Sequence, residues 1–531
     1  YLFTVFYSIR KIGMLKNLFS FSDRYRILHL TWFAFFLSFV VWFNFAPFQT
    51  AIKEAFSLSE GQVRTIAICN VALTVPARII IGMVLDKYGP RITYSILLMY
   101  AAIPCLAFAL AQNFSQLVMS RLALSIVGAG FVIGIRMVAE WFPPKEIGIA
   151  EGIYGGWGNF GSAAAAFTLP SVAAATAFFA AGQINWRLAI ALTGIIAAIY
   201  GVIYFFNVQD IPSGKVYQRP SRHGGIEVTS KKSFWLLMLT NIPLVGILAV
   251  LAWRISQIGL LSPTQLVIVY LLLIGLYLFQ AYKCWDVNQD LMTGKKQYAP
   301  KDRYEFSQVA VLELTYFVNF GSELAVVSML PAFFESTFTL SKVLAGMIAA
   351  SYAFMNLFAR PGGGWVSDTV GSRKWTMTIL TGGMGIAYLM MSGVSSNWWL
   401  PIAIMLTMAC SFFVQAGEGS TFAIVPLVKR RITGQIAGNV GAYGNVGAVA
   451  YLTLYSFLPP GDIGNQIFFQ TLGVTALIVT FLCAFLLKEP KGSFAEHHEG
   501  DEPELTAEKN FTVFTGEEKY SLSIEPGEET R

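Results

Sequence analysis

One fourteen-residue pattern, present twice, limits what this chain can fold into more than any other feature. Arg78 to Arg91 reads R-x3-G-x3-D-x2-G-x-R through Gly82, Asp86 and Gly89, and Arg360 to Arg373 repeats it 282 residues later through Gly364, Asp368 and Gly371. Each copy lies at the end of a long apolar run. Each therefore sets one arginine inside an apolar segment and an Asp-Gly-Arg cluster just beyond it. Only a duplicated membrane protein with one deep positive charge per half satisfies both copies.

Composition agrees. The 531 residues are 55% hydrophobic and 13% charged, with mean hydropathy +0.57. Apolar runs of about 18 residues or more, enough to span a hydrocarbon core, recur along most of the chain. The first begins near Leu30, behind a basic, aromatic lead without a cleavable signal. Met14 would make a natural start, so residues 1–13 are expected to be an extension. Cys69, Cys105, Cys284, Cys410 and Cys483 are scattered without metal or disulfide spacing, and no metal or cofactor is expected. The formal charge of +6 hides a split, because Glu496 to Arg531 holds eleven acids against three basic residues. The excess of positive charge elsewhere suits loops at a cytoplasmic membrane face, not nucleic acid.

Six spans are predicted near 30–50, 62–85, 92–112, 116–140, 147–171 and 187–207. A second six follow near 307–333, 342–366, 374–393, 398–416, 432–458 and 465–487. The expected organisation is a cytoplasmic N-terminus (1–29), a six-helix bundle (30–207), a central linker (208–306), a second bundle (307–488) and an acidic cytoplasmic tail (489–531). Within the linker, 234–253 and 263–282 are apolar; the expected arrangement is an extra helix pair that crosses twice and makes fourteen spans, and a shallow hairpin leaving twelve is the alternative. Lysine and arginine crowd one set of loops, from Arg24 and Arg26 through Lys87, Lys145, Lys215–Lys232, Lys283–Arg303 and Lys429–Arg431 to Lys488. The opposite loops are nearly bare, so both termini are read as cytoplasmic. The tail is too acidic to bury a core and is read as largely disordered, serving solvation or a regulatory partner.

Two six-span halves, each with G-x3-D-x2-G-x-R after its second span, resemble the major facilitator superfamily, which implies an all-α fold of two six-helix bundles. Asp86 with Arg91, and Asp368 with Arg373, lie where a helix ends, and can pair across a glycine turn as gating latches. Arg78 and Arg360 lie one turn deeper, at a cost of about 2.5–3.5 kcal/mol each on insertion scales. No acid lies between Arg64 and Asp86 or between Lys342 and Asp368, so a counter-charge must come from another helix. A small anion between the two arginines is the preferred reading, and two separate structural ion pairs are the alternative. A second duplicated string points the same way. Gly155, Gly158, Asn159 and Gly161 match Gly441, Gly444, Asn445 and Gly447 at a constant offset of 286. Such glycines let helices approach closely, and an amide in hydrocarbon needs a partner that an anion would supply.

These strings, with one arginine on each of the second and eighth spans, resemble the nitrate/nitrite porter family (NarK type), in particular its members with an enlarged central loop. The resemblance implies nitrate or nitrite between Arg78 and Arg360, beside Asn159, Gly158, Asn445 and Gly444, with Tyr316 and Phe320 lining the site. Guanidinium suits a planar anion better than the point charge of lysine. An inside-negative potential opposes anion influx by about 2.3 kcal/mol per 100 mV, so uptake requires co-moving protons or exchange for an outgoing anion such as nitrite. Carboxylates in or beside spans are Glu140, Glu151, Glu313, Glu323 and Glu418. Glu140 is read as the helix partner of Arg136. Glu313 and Glu323 are the proton-coupling candidates, or else structural partners of Arg121 or Arg136. The expected activity is secondary active nitrate uptake across the cytoplasmic membrane, without enzymatic chemistry. A nitrate/nitrite exchanger, a porter of another small anion and a nitrate-sensing membrane protein are the alternatives. Arg78→Lys and Arg360→Lys are each expected to lower nitrate uptake severely, and near-normal uptake in either would defeat a two-arginine site.

Overall fold

The computed structural model describes residues 19–494, apart from 181, 221, 223, 258 and 460. The expectations for residues 1–13 and for the acidic tail from Glu496 fall outside this range. Among the described residues the chain is helical, without strands. The first half contains α1 (Asp23–Phe43), α2 (Gln49–Ala55), α3 (Glu60–Ala72), α4 (Thr74–Tyr88) and α5 (Pro90–Ala109). It continues with α6 (Phe114–Leu124), α7 (Gly130–Trp141), α8 (Ile147–Asn159), α9 (Gly161–Ala175) and α10 (Trp186–Asn207). The insert forms α11 (Lys231–Gln257) and α12 (Pro263–Met292). The second half contains α13 (Phe306–Phe338), α14 (Lys342–Phe354), α15 (Asn356–Thr369) and α16 (Arg373–Met391). It ends with α17 (Leu400–Val428), α18 (Thr433–Phe457) and α19 (Asp462–Leu486).

Four spans expected as single helices are jointed. The second divides at Leu73 and the eighth at Met355, residues that are equivalent across the repeat and five positions before each deep arginine. Both keep right-handed helical angles (φ −84°, ψ −1° and φ −57°, ψ −21°), so each joint is a bend and not an end. Pro76 explains the first, since it has no amide to offer the Ala72 carbonyl. The fourth span tightens to a 3-10 turn at Ser125–Ala129, and the fifth bends at Phe160. The eleventh stays continuous, so the repeat is not perfectly symmetric.

Ten helical stretches among the described residues are long and apolar enough to cross a membrane, α11 and α12 included. At about 1.5 Å per residue those two reach roughly 40 Å, more than the hydrocarbon core requires. Tyr277 of α12 donates to the Met238 carbonyl of α11 at 3.2 Å. On its other side, α11 sets Leu244, Ile247 and Leu251 against Val75 of α4 and Ala442, Tyr443, Val446 and Val449 of α18. Tyr443 donates to the Thr240 carbonyl at 2.6 Å.

The insert is fastened by ions as well. Arg431, just before α18, donates to Glu227 (3.0 Å) and to Asp302 (2.9 Å), and Lys429 also pairs with Asp302. Tyr298 donates its hydroxyl to Glu227 at 2.5 Å. Burial alone would raise the Glu227 carboxyl, but Tyr298 and Arg431 outweigh it and hold it below its ordinary value. Hydrogen bonds from Arg431 and Lys429 do the same for Asp302 against its own burial. Both groups titrate lower folded than unfolded, so their stabilisation is present above the ordinary carboxylate pKa and fades as pH falls through the folded values. Arg431→Met should therefore lower the melting temperature at neutral pH, and the gap from wild type should narrow below about pH 4. A gap that stays constant with pH, measured by thermal unfolding in detergent, would count against the cluster as a fastener.

Candidate functional site

Arg78 on α4 and Arg360 on α15 are both buried, at 0% and 1% exposure. Each lies against the glycine-string helix of the opposite half. A β-carbon on Gly438 would stand 2.6 Å from the Arg78 carbonyl oxygen, and one on Gly152 would stand 2.6 Å from that of Arg360. One helical turn on, Gly441 faces the Arg78 guanidinium and Gly155 faces the Arg360 Nε. The two strings are thus the clefts into which the arginines of the other half fit. At Gly152, Gly155 and Gly438 only hydrogen allows that approach without a shift.

The guanidiniums converge on one ring. Phe131 of α7 has Arg78 Cζ at 5.4 Å and Arg360 Cζ at 5.2 Å from its centroid. Tyr316 lies parallel to Phe131 at 6.0 Å and Phe320 parallel to Tyr316 at 5.1 Å, with Arg78 Cζ 5.4 Å from the Phe320 ring. The two α13 aromatics expected from sequence therefore stand beside both arginines. Phe131 was not expected, since an isolated phenylalanine in an apolar span carries no signal.

The arginines differ in partners. Arg78 donates to the Gly441 carbonyl and, at 3.3 Å, to the Gly128 carbonyl that the 3-10 turn exposes. Among the described residues no carboxylate comes within ion-pairing distance of it. Arg360 is ion-paired with Glu418 of α17 and donates to the Tyr316 hydroxyl at 3.2 Å. The structural ion pair weighed against an anion is thus present for one arginine and absent for the other. Asn445 is fully buried with neither amide atom hydrogen-bonded, and Asn159 is 5% exposed. Gly158 packs on Phe35, and Gly444 on Tyr316 and Phe320, so these two shape the aromatic wall rather than face a guanidinium.

Neither acid of α13 pairs with Arg121 or Arg136, contrary to that sequence reading. Glu313 accepts from Asn439 at 3.4 Å, and Glu323 accepts from Asn356 at 2.5 Å and Gln415 at 3.2 Å. Arg121 donates to Asn44 and the Trp42 carbonyl, while Arg136 pairs with Glu140 at 2.8 Å as its helical spacing implies.

The latch also differs from expectation. Asp86 does not pair with Arg91. Its two oxygens accept from the Gly434 and Gln435 amides, both at 2.9 Å, at the start of α18. Asp368 accepts from the Gly148 and Ile149 amides, at 3.0 and 2.8 Å, at the start of α8. Each carboxylate thus caps a helix of the other half, where free amides and the helix dipole favour negative charge. Arg136 stands 3.8 Å from Asp86, whereas Arg373 does pair with Asp368, at 2.7 Å. Arg91 instead bonds Asp210 through its amide at 2.7 Å and lays its guanidinium 4.3 Å from the Phe205 ring.

Paired buried charges at the seam of two duplicated bundles, clamped together at one end, define a solute transporter with its site between repeats. The pattern of the Major Facilitator Superfamily matches residues 31–284 and 312–518, and the chain belongs to that superfamily. It is 65% identical to the nitrate/nitrite transporter NrtP of Picosynechococcus sp., over 93% of this chain and 98% of that one. It is 61% identical to the NrtP of Nostoc punctiforme, over 95% and 100%. The fold is similar to that of the human organic anion transporter MFSD10, with TM-score 0.59 at 12% identity over 87% of this chain and 100% of the other.

Gly152→Ala and Gly438→Ala each force a β-carbon into opposing backbone, an overpacking of about 1–3 kcal/mol at the seam. Solute uptake in membranes carrying either variant should fall roughly tenfold or more on that scale. Gly275→Ala, with open space around it, should change nothing. Equal uptake in all three would dissolve the cleft argument.

Proposed function

We propose that this chain imports nitrate, and nitrite, across the cytoplasmic membrane by alternating access, with proton coupling. The observation that carries the reading is the pair of buried guanidiniums against Phe131, one of which has no carboxylate partner among the described residues. A site with spare positive charge, flat aromatic walls and the unbonded amide of Asn445 suits a small planar anion. The activity named for the two NrtP relatives supports nitrate and nitrite as that anion.

In this reading the substrate residues are Arg78, Arg360, Asn159, Asn445, Tyr316 and Phe320, with Phe131 added. Gly158 and Gly444 act by shaping the wall. Asp86 and Asp368 close the cytoplasmic end by capping α18 and α8. With that end closed a bound anion cannot pass inward, and loss of both caps opens the inner path. Basic loops on the latch side support cytoplasmic termini, and the lengths of α11 and α12 support two crossings and fourteen spans.

Protons provide the drive, because anion influx runs against the membrane potential. The test is uptake of labelled nitrate into proteoliposomes under an imposed pH gradient, an imposed voltage, or internal nitrite. Accumulation driven by an acid-outside gradient alone is expected. An absolute requirement for internal nitrite would replace symport by exchange, and absence of any nitrate flux would remove the transport reading.

A further inference from the structure

We propose that Glu418 and Glu323 form a proton-sharing carboxyl pair in which Glu418 competes with the anion for Arg360, so that binding one anion draws in one proton. The inference rests on the proposed anion site and names the group that couples it to protons. Glu418, fully buried on α17, is the ion-pair partner of Arg360 through Oε2. Its other oxygen, Oε1, is buried without a donor. Glu323, across on α13, spends Oε1 on Asn356 and Gln415, and its Oε2 is likewise buried without a donor. Gln415, one turn before Glu418 on α17, donates to Glu323 at 3.2 Å, which sets the two carboxyls side by side between α13 and α17. Neighbouring buried carboxylates repel, and one proton shared between them would supply the donor that both spare oxygens lack.

The surrounding groups fix the direction of the effect. Arg360 on α15, Arg78 on α4, Tyr316 on α13, Tyr352 on α14 and Glu151 on α8 are the other charged or titratable neighbours of this network. With one shared proton the pair carries a single negative charge, which neutralises Arg360 and leaves Arg78 to attract an anion. For the anion to engage both arginines, the Glu418 carboxylate must leave Arg360. Once displaced, it is a buried charge without a counter-ion, a costly state that a second proton from solution removes by converting carboxylate to carboxylic acid. No covalent bond to the anion forms. Release of the anion reverses the step: Glu418 returns its proton and reoccupies Arg360. Linkage makes the effect reciprocal, so protonation of the pair strengthens anion binding as much as the anion favours protonation. Glu313, whose described partner is the Asn439 amide, lies outside this exchange.

The first measurement uses the unaltered full chain. Nitrate is added to detergent-solubilised protein in weak buffer between pH 6 and 8, and proton uptake is read with a pH indicator beside the amount of nitrate bound. About one proton taken up per nitrate bound, somewhere in that range, is expected from the linkage. Nitrate binding with no proton uptake across the range overturns the proposal while leaving the anion site intact. Glu418→Gln, a neutral mimic of the protonated acid, is the second. In proteoliposomes its gradient-driven accumulation should fall at least tenfold, while nitrate-for-nitrate exchange persists and no longer varies with pH. A Glu418→Gln protein that accumulates nitrate as the wild type does also overturns the proposal. Should the variant not fold, the wild-type proton count decides alone. A wild type that neither binds nor exchanges labelled nitrate refutes the anion site itself, a failure distinct from those two.

Discussion

Everything in this molecule is arranged around the difficulty of keeping two arginines out of water. A guanidinium in hydrocarbon must find acceptors at once: Arg78 finds one across the seam, at a carbonyl of α18, while Arg360 finds Glu418 and Tyr316 in its own half and lies in a cleft lined by Gly152 and Gly155 of α8. The two bundles are therefore not merely adjacent. Each supplies the housing for the charge of the other, and the first half alone would leave an Arg78 donor unmet.

From that constraint the rest follows in layers. The glycine strings exist because backbone must pass within contact distance of the arginine-bearing helices. Bends at Leu73 and Met355 precede both arginines by the same interval, and the 3-10 turn at Ser125–Ala129 turns the Gly128 carbonyl toward Arg78. Further along the same two crossings, Asp86 and Asp368 use the amides at the start of α18 and α8. One pair of helix crossings thus holds both the charged centre and the closure of one end, so the two cannot change independently.

Much of this was legible in the chain because duplication writes depth into spacing. The offsets of 282 and 286 residues place Arg78 and Arg360, and the two asparagines, at equivalent levels of the two repeats. What escaped was tertiary. Nearby numbering suggested Arg91 for Asp86, but main-chain amides 348 residues away have no side-chain signature in a sequence. Glu418 was visible as an acid in an apolar stretch, yet nothing local tied it to Arg360 rather than to another cation. Phe131 had no signal at all, being one phenylalanine among 43. Four jointed helices were read as continuous because apolar composition persists through a bend.

The insert alters the mechanics of an otherwise twofold body. Helix α11 touches Val75 on one half and Tyr443 and Val446 on the other, so it bridges the α4–α18 crossing on the lipid side. Beyond that cluster its main helical packing partners are α12, α18, α13 and α3, none of which belongs to the α8–α15 crossing. Rocking the halves apart shears apolar contacts at the first crossing, whereas the second moves without that drag. A pair of identical shells would open like scissors about a central pin. This one is built to swing like a door, with α11 placed as the hinge post.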